Sequence, residues 1–108
     1  MTHYLILESR DPYDSADWGN MQETIVELKK NGHDVTLFLV QNGVLPARKG
    51  TSFEKHFTEL KTSGINILAD LFSLQERGIY ELPKSVEKSN FDRLVELCLT
   101  PDTKTIWH

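Results

Sequence analysis

Cysteine is almost absent from this chain of 108 residues, which contains only Cys98. One thiol cannot form an intrachain disulfide, and it cannot supply the several cysteines of a zinc finger. Such sparing use of cysteine is typical of the reducing cytoplasm, where we expect the protein to act.

Long apolar runs are missing as well. The longest extends from Val35 to Val40 and is broken by Thr36, whereas a membrane-spanning helix needs about 20 apolar residues. The first residues carry no basic segment ahead of the apolar Leu5, so we expect no signal peptide. The sequence therefore predicts a protein without a membrane partner.

Positive charge is in deficit, with 12 Lys and Arg against 16 Asp and Glu and a net charge of −4. Nucleic acids attract basic surfaces, so this balance argues against a nucleic-acid partner. The phosphate-binding patterns G-x-G-x-x-G and G-x-x-x-x-G-K-S/T do not occur. The loop from Ser9 to Asp17 lacks the spacing of a calcium loop, and the four histidines are scattered. We expect neither a metal ion nor another cofactor.

Short apolar runs alternate with stretches of helical periodicity. The runs predict strands at residues 4–8, 34–40, 65–69 and 103–107. The stretches between them predict helices, and the segment from Ile79 to Lys88 is predicted to be irregular around Pro83. This order predicts a single α/β domain over residues 1–108, a three-layer α/β/α sandwich with a mostly parallel sheet of about five strands.

Polar residues follow three of the predicted strands. They are Glu8 and Ser9 after the first strand, Gln41 and Asn42 after the second, and Asp70 after the third. Ligands of open α/β sheets bind at the carboxyl ends of the strands. We therefore predict that these five residues line a ligand pocket.

Asp70 lies where a strand meets a short helix. A carboxylate at a helix N-terminus accepts hydrogen bonds from free backbone amides, so an N-cap is the first interpretation. The same place suits a general base, and in a small-molecule enzyme Asp70 would act beside Glu8, Gln41 or His108. The sequence names no substrate for such an enzyme.

Cys98 aligns with Phe91, Leu94 and Val95 on the apolar face of the last predicted helix. We therefore expect it to be buried there as a small apolar side chain. It also lies near the helix C-terminus, where the helix dipole opposes a thiolate. A structural role for Cys98 is thus favoured over a catalytic one.

Two segments, Thr36–Val44 and Ile67–Ile79, resemble the small DsrE/DsrF/TusD-like sulfur-relay family, and the order of elements fits along nearly the whole chain. The resemblance implies a DsrE-like fold and homo- or hetero-oligomers such as trimers and hexamers. In active members it also implies a cysteine that carries persulfide sulfur between proteins.

The family cysteine follows the third strand, and counting back eight residues from Gly78, which ends the short helix, places Asp70 at its position. A carboxylate cannot form a persulfide. The resemblance thus implies a noncatalytic DsrE-like subunit or binding protein of sulfur relay or sulfur metabolism, acting through an oligomer surface and the strand-end pocket. Its partners would be copies of itself, as a trimer or hexamer, or other sulfur-relay proteins. The alternative is a sulfurtransferase with Cys98 as the persulfide carrier.

Overall fold

Strands and helices alternate along the chain in a computed structural model, which describes residues 2–108. The strands are β1 (His3–Glu8), β2 (Asp34–Leu39), β3 (Asn66–Asp70), β4 (Glu87–Ser89) and β5 (Thr103–Trp107). The α-helices are α1 (Trp18–Lys30), α2 (Glu54–Thr62), α3 (Leu71–Glu76) and α4 (Phe91–Leu99), and a 3-10 helix spans Gln41–Ala47.

One sheet holds these strands in the order β4-β3-β2-β1-β5, and each neighbouring pair is parallel. Parallel neighbours need a crossover connection, which the helices provide. The structure therefore confirms the predicted α/β fold, and the sheet within residues 2–108 is parallel throughout.

Alternating apolar side chains build a core on each face of the sheet. On one face, Ile6 and Leu37 belong to a core that α1, α2 and α3 cover. On the other face, Leu5 and Phe38 belong to a second core, on which α4 packs. Because successive residues of a strand point to opposite faces, these nearly continuous apolar strands fill both cores. The result is the predicted sandwich of three layers.

The prediction that Cys98 is buried is wrong, because α4 turns a different side to the sheet. Leu94 and Leu97 are the α4 side chains that pack against the core beneath the helix. Cys98 is exposed, as are Phe91 and Val95. No side chain of α4, which the structure describes in full, is buried in the single chain.

The strand β4 lies in and just beyond the segment that was expected to be irregular. It pairs with β3 from Leu68 opposite Glu87 to Asp70 opposite Ser89. Its sequence is Glu-Lys-Ser, and it forms one edge of the sheet. Short, charged strands are typical of sheet edges, where polar side chains discourage pairing with other chains.

None of the helices within residues 2–108 is long and apolar enough to cross a membrane.

Candidate functional site

The carboxyl ends of β3, β2, β1 and β5 lie side by side, because these strands are parallel neighbours. The five residues predicted at strand ends therefore lie along one edge of the sheet, which we call the carboxyl edge. They are Glu8, Ser9, Gln41, Asn42 and Asp70. Hydrogen bonds gather them into two clusters, one at the end of β1 and one where β2 and β3 end.

Glu8 forms the centre of the first cluster and is fully buried, with 0% of its surface exposed. Its carboxylate oxygens lie 2.7 and 2.9 Å from Nδ1 of His108. The backbone N–H of Arg10 donates to the same carboxylate over 3.3 Å. β5 pairs with β1 as far as Leu7 opposite Trp107, so the sheet register places His108 next to Glu8.

Ser9 fixes the backbone of His108. Its N–H and its Oγ–H both donate to the His108 carbonyl oxygen, over 3.2 and 2.9 Å. The imidazole therefore keeps Nδ1 towards Glu8, and its Nε2 has no hydrogen-bond partner within residues 2–108. A carboxylate that holds one imidazole nitrogen in this way orients the other nitrogen towards a ligand.

Burial raises the pKa of the Glu8 carboxyl above its ordinary value, and the contacts with His108 and Arg10 offset part of this rise. Removal from water disfavours a charged carboxylate, whereas a neighbouring positive charge favours it. The Glu8 carboxyl thus keeps its proton to a higher pH than an exposed glutamate does.

A close backbone contact joins the first cluster to the second. A Cβ atom on Gly43 would collide with the carbonyl oxygen of Glu8. The same oxygen accepts a hydrogen bond from the N–H of Val40 over 3.0 Å. Only glycine permits so close an approach, so Gly43 lets the 3-10 helix rest against the end of β1.

Asp70 organises the second cluster as the N-cap of α3. Its Oδ2 accepts hydrogen bonds from the N–H and the Oγ–H of Ser73, over 3.0 and 2.6 Å. The Ser73 Oγ in turn accepts from the backbone N–H of Gln41 over 2.9 Å. Gln41 has φ of 51°, which is an uncommon conformation for a residue with a side chain. Asp70 therefore stabilises the turn after β2 through Ser73.

Asn42 is held by the end of α3. Its Oδ1 accepts from Nε and Nη2 of Arg77, over 3.2 and 3.0 Å. Nη1 of the same guanidinium donates to the carbonyl oxygen of Ser73 over 3.2 Å. Arg77 thus connects α3 to the 3-10 helix on the outer side of the cluster.

Ser73 and Arg77 are residues of this site that the sequence interpretation missed. Ser73 follows Asp70 by three positions, which is the spacing between an N-cap and the residue whose amide it accepts, so a sequence signal exists. Arg77 has no such signal, because its partner Asn42 lies 35 positions away.

Cys98 does not belong to the carboxyl edge. α4 begins after the carboxyl end of β4 and returns to the amino end of β5. Cys98 is the next-to-last residue of α4, about 10 Å along the helix from its first residue, Phe91. The chain's single thiol therefore lies towards the opposite edge of the sheet from Asp70.

The carboxyl edge offers hydrogen-bonding groups to a ligand. They are Nε2 of His108 and the exposed side chains of Gln41 and Asn42. Grooves of about 530, 420 and 560 Å³ lie elsewhere, and none of these three is lined by the five predicted residues. Within residues 2–108, no group of three or more His, Cys, Asp or Glu side chains is placed to hold a metal ion.

Comparison with known proteins gives one family and several solved structures. Residues 2–104 match the model of the DsrE/DsrF-like family. The fold is similar to that of the ychN protein from E. coli, with a TM-score of 0.89 and 19% identity over 100% of both chains. It is also similar to MTH1491, a protein of unknown function from Methanobacterium thermoautotrophicum, with a TM-score of 0.83 and 15% identity over 100% of both chains.

A third similar structure is BT1422 from Bacteroides thetaiotaomicron, with a TM-score of 0.80 and 16% identity over 98% of this chain and 94% of that chain. No curated protein sequence gives a significant match. At these identities the solved structures show that the fold is shared.

Proposed function

Since this chain belongs to the DsrE/DsrF-like family, we propose that it acts in sulfur relay or sulfur metabolism as a noncatalytic subunit or binding protein of the cytoplasm. It would engage its partners through an oligomer surface and its ligand through the carboxyl edge. The thiol that carries sulfur in active relatives would be replaced here by Asp70.

The observation that carries this proposal is the set of hydrogen bonds that the Asp70 carboxylate accepts. One of its carboxylate oxygens accepts two hydrogen bonds from Ser73, and Ser73 holds the backbone of Gln41. The carboxylate thus has a structural role where a relay protein needs a nucleophilic sulfur. Because sulfur transfer proceeds through a thiolate, Asp70 cannot accept a sulfur atom.

The ligand side of the proposal rests on the groups that the carboxyl edge leaves accessible. Glu8 is buried, so it would act by orienting His108 rather than by touching a ligand. Nε2 of His108, together with Ser9, Gln41 and Asn42 along the same edge of the sheet, would provide the polar contacts.

The oligomer side rests on an exposed apolar surface, which we call the α4 face. It consists of Phe91, Val95 and Leu99 on α4, together with Trp107 on β5, which are 68, 39, 77 and 62% exposed. The three helical residues are four positions apart and so form one stripe. Trp107 pairs with Leu7, whose side chain points to the same side of the sheet as α4. An apolar surface of this kind is typical of an interface, here between copies in a trimer or hexamer or with a sulfur-relay partner.

The alternative function is sulfur transfer by Cys98. The exposure of Cys98 favours it, because a persulfide carrier must reach its partner. Its place near the C-terminal end of α4 argues against it, since the helix dipole there disfavours a thiolate.

Sulfur uptake distinguishes the two functions. The reduced protein is treated with a polysulfide donor, and intact mass follows the addition of sulfur to wild type and to Cys98→Ala. We expect native wild type to react no faster than the same chain unfolded in urea, and Cys98→Ala not to react. A native rate about tenfold above the unfolded rate would reveal an activated thiol and favour the sulfurtransferase.

A gain-of-function variant provides the positive control. Asp70→Cys in the Cys98→Ala background places a thiol at the N-terminus of α3, where free amides favour the thiolate. We expect this variant to take up sulfur faster than its own unfolded chain. Failure to do so would show that position 70 is not equivalent to the family cysteine.

Sedimentation of the native protein at micromolar concentration tests the oligomer. We expect a defined assembly that Val95→Glu dissociates, because a charge in an apolar interface is costly to bury. Tyr80→Glu is the matched control, since Tyr80 is 74% exposed and lies outside the α4 face. A monomeric wild type would contradict this part of the proposal.

A further inference from the structure

A groove of about 530 Å³ lies between α2 and the segment Leu82–Ser85, away from the carboxyl edge and the α4 face. One wall is the side of α2 that carries Glu54, Thr58, Lys61 and Thr62. The opposite wall is formed by Leu82, Pro83, Lys84 and Ser85, and Lys49 lies at one end. Because α2 covers the opposite face of the sheet from α4, a ligand here would leave the α4 face free.

The groove concentrates positive charge in a chain whose net charge is −4. Lys49, Lys61 and Lys84 line it, and none of the three forms an ion pair with an acidic side chain of residues 2–108. Glu54 is the acidic residue among the lining side chains, and its carboxylate already accepts the N–H of Gly50 over 2.8 Å. The three ammonium groups outnumber the one carboxylate of the groove, so the groove attracts an anion.

Ser85 adds an independent observation at the inner wall of the groove. Its side chain is buried, with 7% of the residue exposed, and its Oγ has no hydrogen-bond partner within the described residues. Buried hydroxyl groups without a partner are rare in folded proteins, because leaving one unpaired costs free energy. The Oγ atom itself is buried, so a change of side-chain rotamer would turn it into the groove, where the hydroxyl would donate a hydrogen bond to an oxygen atom of a bound anion.

We propose that this groove binds the phosphate group of a small phosphorylated molecule. Lys49, Lys61 and Lys84 would neutralise the phosphate as point charges, in the manner of the lysines of other phosphate sites. The Ser85 hydroxyl would donate to a phosphate oxygen, and Leu82 and Pro83 offer apolar surface to the rest of the ligand. A long polyanion is disfavoured, because the overall charge of the chain is negative.

Pyrophosphate serves as the probe, and two-dimensional NMR of the backbone amides of the full chain locates its binding. We expect saturable shifts confined to Lys49, α2 and residues 82–85. Binding should be weaker at high salt because the contacts are charged. Lys61→Gln and Lys84→Gln should each weaken binding about fivefold, as for one partly exposed charge pair. Ser85→Ala should weaken it at unchanged net charge.

Two further variants separate a built site from diffuse attraction. Lys55→Gln is the matched control, because Lys55 is exposed on α2 but does not line the groove. The affinity of this variant for pyrophosphate should stay within about twofold of that of wild type. Glu54→Gln should strengthen binding, since it removes the negative charge of the groove. Shifts spread over the whole surface, or equal losses for Lys55→Gln and Lys61→Gln, would overturn the proposal. Sulfur uptake and sedimentation measure other surfaces, so their outcomes do not depend on this one.

Discussion

Replacement of Asp70 by alanine tests the structural role of its carboxylate at the carboxyl edge. The variant loses the N-cap of α3, which costs about 1 kcal/mol in typical helices. It also leaves the hydroxyl proton of the buried Ser73 without an acceptor, at a further cost of about 1 kcal/mol. We expect the free energy of unfolding to fall by about 2 kcal/mol, and the midpoint of thermal unfolding by about 8 °C for a domain of this size.

Urea unfolding followed by circular dichroism measures this loss, with Asp17→Ala as the matched control. Asp17 is the N-cap of α1, but its side chain makes no capping hydrogen bond. The control should therefore change the free energy of unfolding by less than about 0.5 kcal/mol. Equal effects of the two substitutions would refute the argument, since both remove an aspartate at an N-cap position, and only Asp70 accepts a backbone N–H of its helix, whereas Asp17 accepts a side-chain amide of Asn20.

A double-mutant cycle with Ser73→Ala isolates the contact itself. Once Ser73 is alanine, Asp70→Ala no longer leaves a buried hydroxyl group without a hydrogen-bond acceptor. The two losses should thus sum to more than the loss in the double variant, with a coupling of about 1 kcal/mol. Additive losses would show that the 2.6 Å hydrogen bond contributes nothing to stability.

Two further substitutions probe the first cluster. Burial raises the pKa of the Glu8 carboxyl above 4.5, so the folded chain binds the carboxyl proton more tightly than the unfolded chain does. Proton binding therefore stabilises the folded state at low pH, and this stabilisation is lost as pH rises through the folded pKa. Urea unfolding at a series of pH values should therefore show the stability of Glu8→Gln increasing relative to that of wild type as pH rises. An equal pH dependence of the two free energies of unfolding would contradict this prediction. Gly43→Ala should cost about 1–3 kcal/mol in thermal unfolding, because its Cβ meets the Glu8 carbonyl. Gly19→Ala, where the Cβ meets nothing within 4 Å on α1, should instead stabilise by about 0.5 kcal/mol, and a loss like that of Gly43→Ala would refute the steric argument.

The sequence predicts the central strands well because burial on both faces leaves a continuous apolar run. Such a run is visible without knowledge of the fold, as in Val35 to Val40. β4 has the opposite composition, since an edge strand of Glu-Lys-Ser needs only backbone pairing with β3. Nothing in its own side chains distinguishes it from a loop, so its strand conformation follows only from the neighbour.

Which residues lie at the carboxyl edge was predictable, because parallel strands bring all their carboxyl ends to one side. The N-cap role of Asp70 was predictable too, and the structure confirms it, whereas the contacts of Glu8 were not predictable. The contact of Glu8 with His108 depends on the register between β1 and β5, which are the first and the last strands along the chain. The cap on Ser73 is a local pattern, and it is the part of the site that a closer look at three-residue spacing finds.

α4 shows that an apolar stripe at helical spacing does not by itself predict which side of the helix packs against the sheet. The stripe that contains Phe91 and Val95 has the spacing of a core-facing surface, yet the sheet contacts Leu94 and Leu97 instead. α4 therefore carries apolar side chains on two sides, and the single chain covers one of them. Cys98 is three positions from Val95, so it lies beside the uncovered side. A neighbouring copy on the α4 face, as proposed above, would cover this side and shield the thiol.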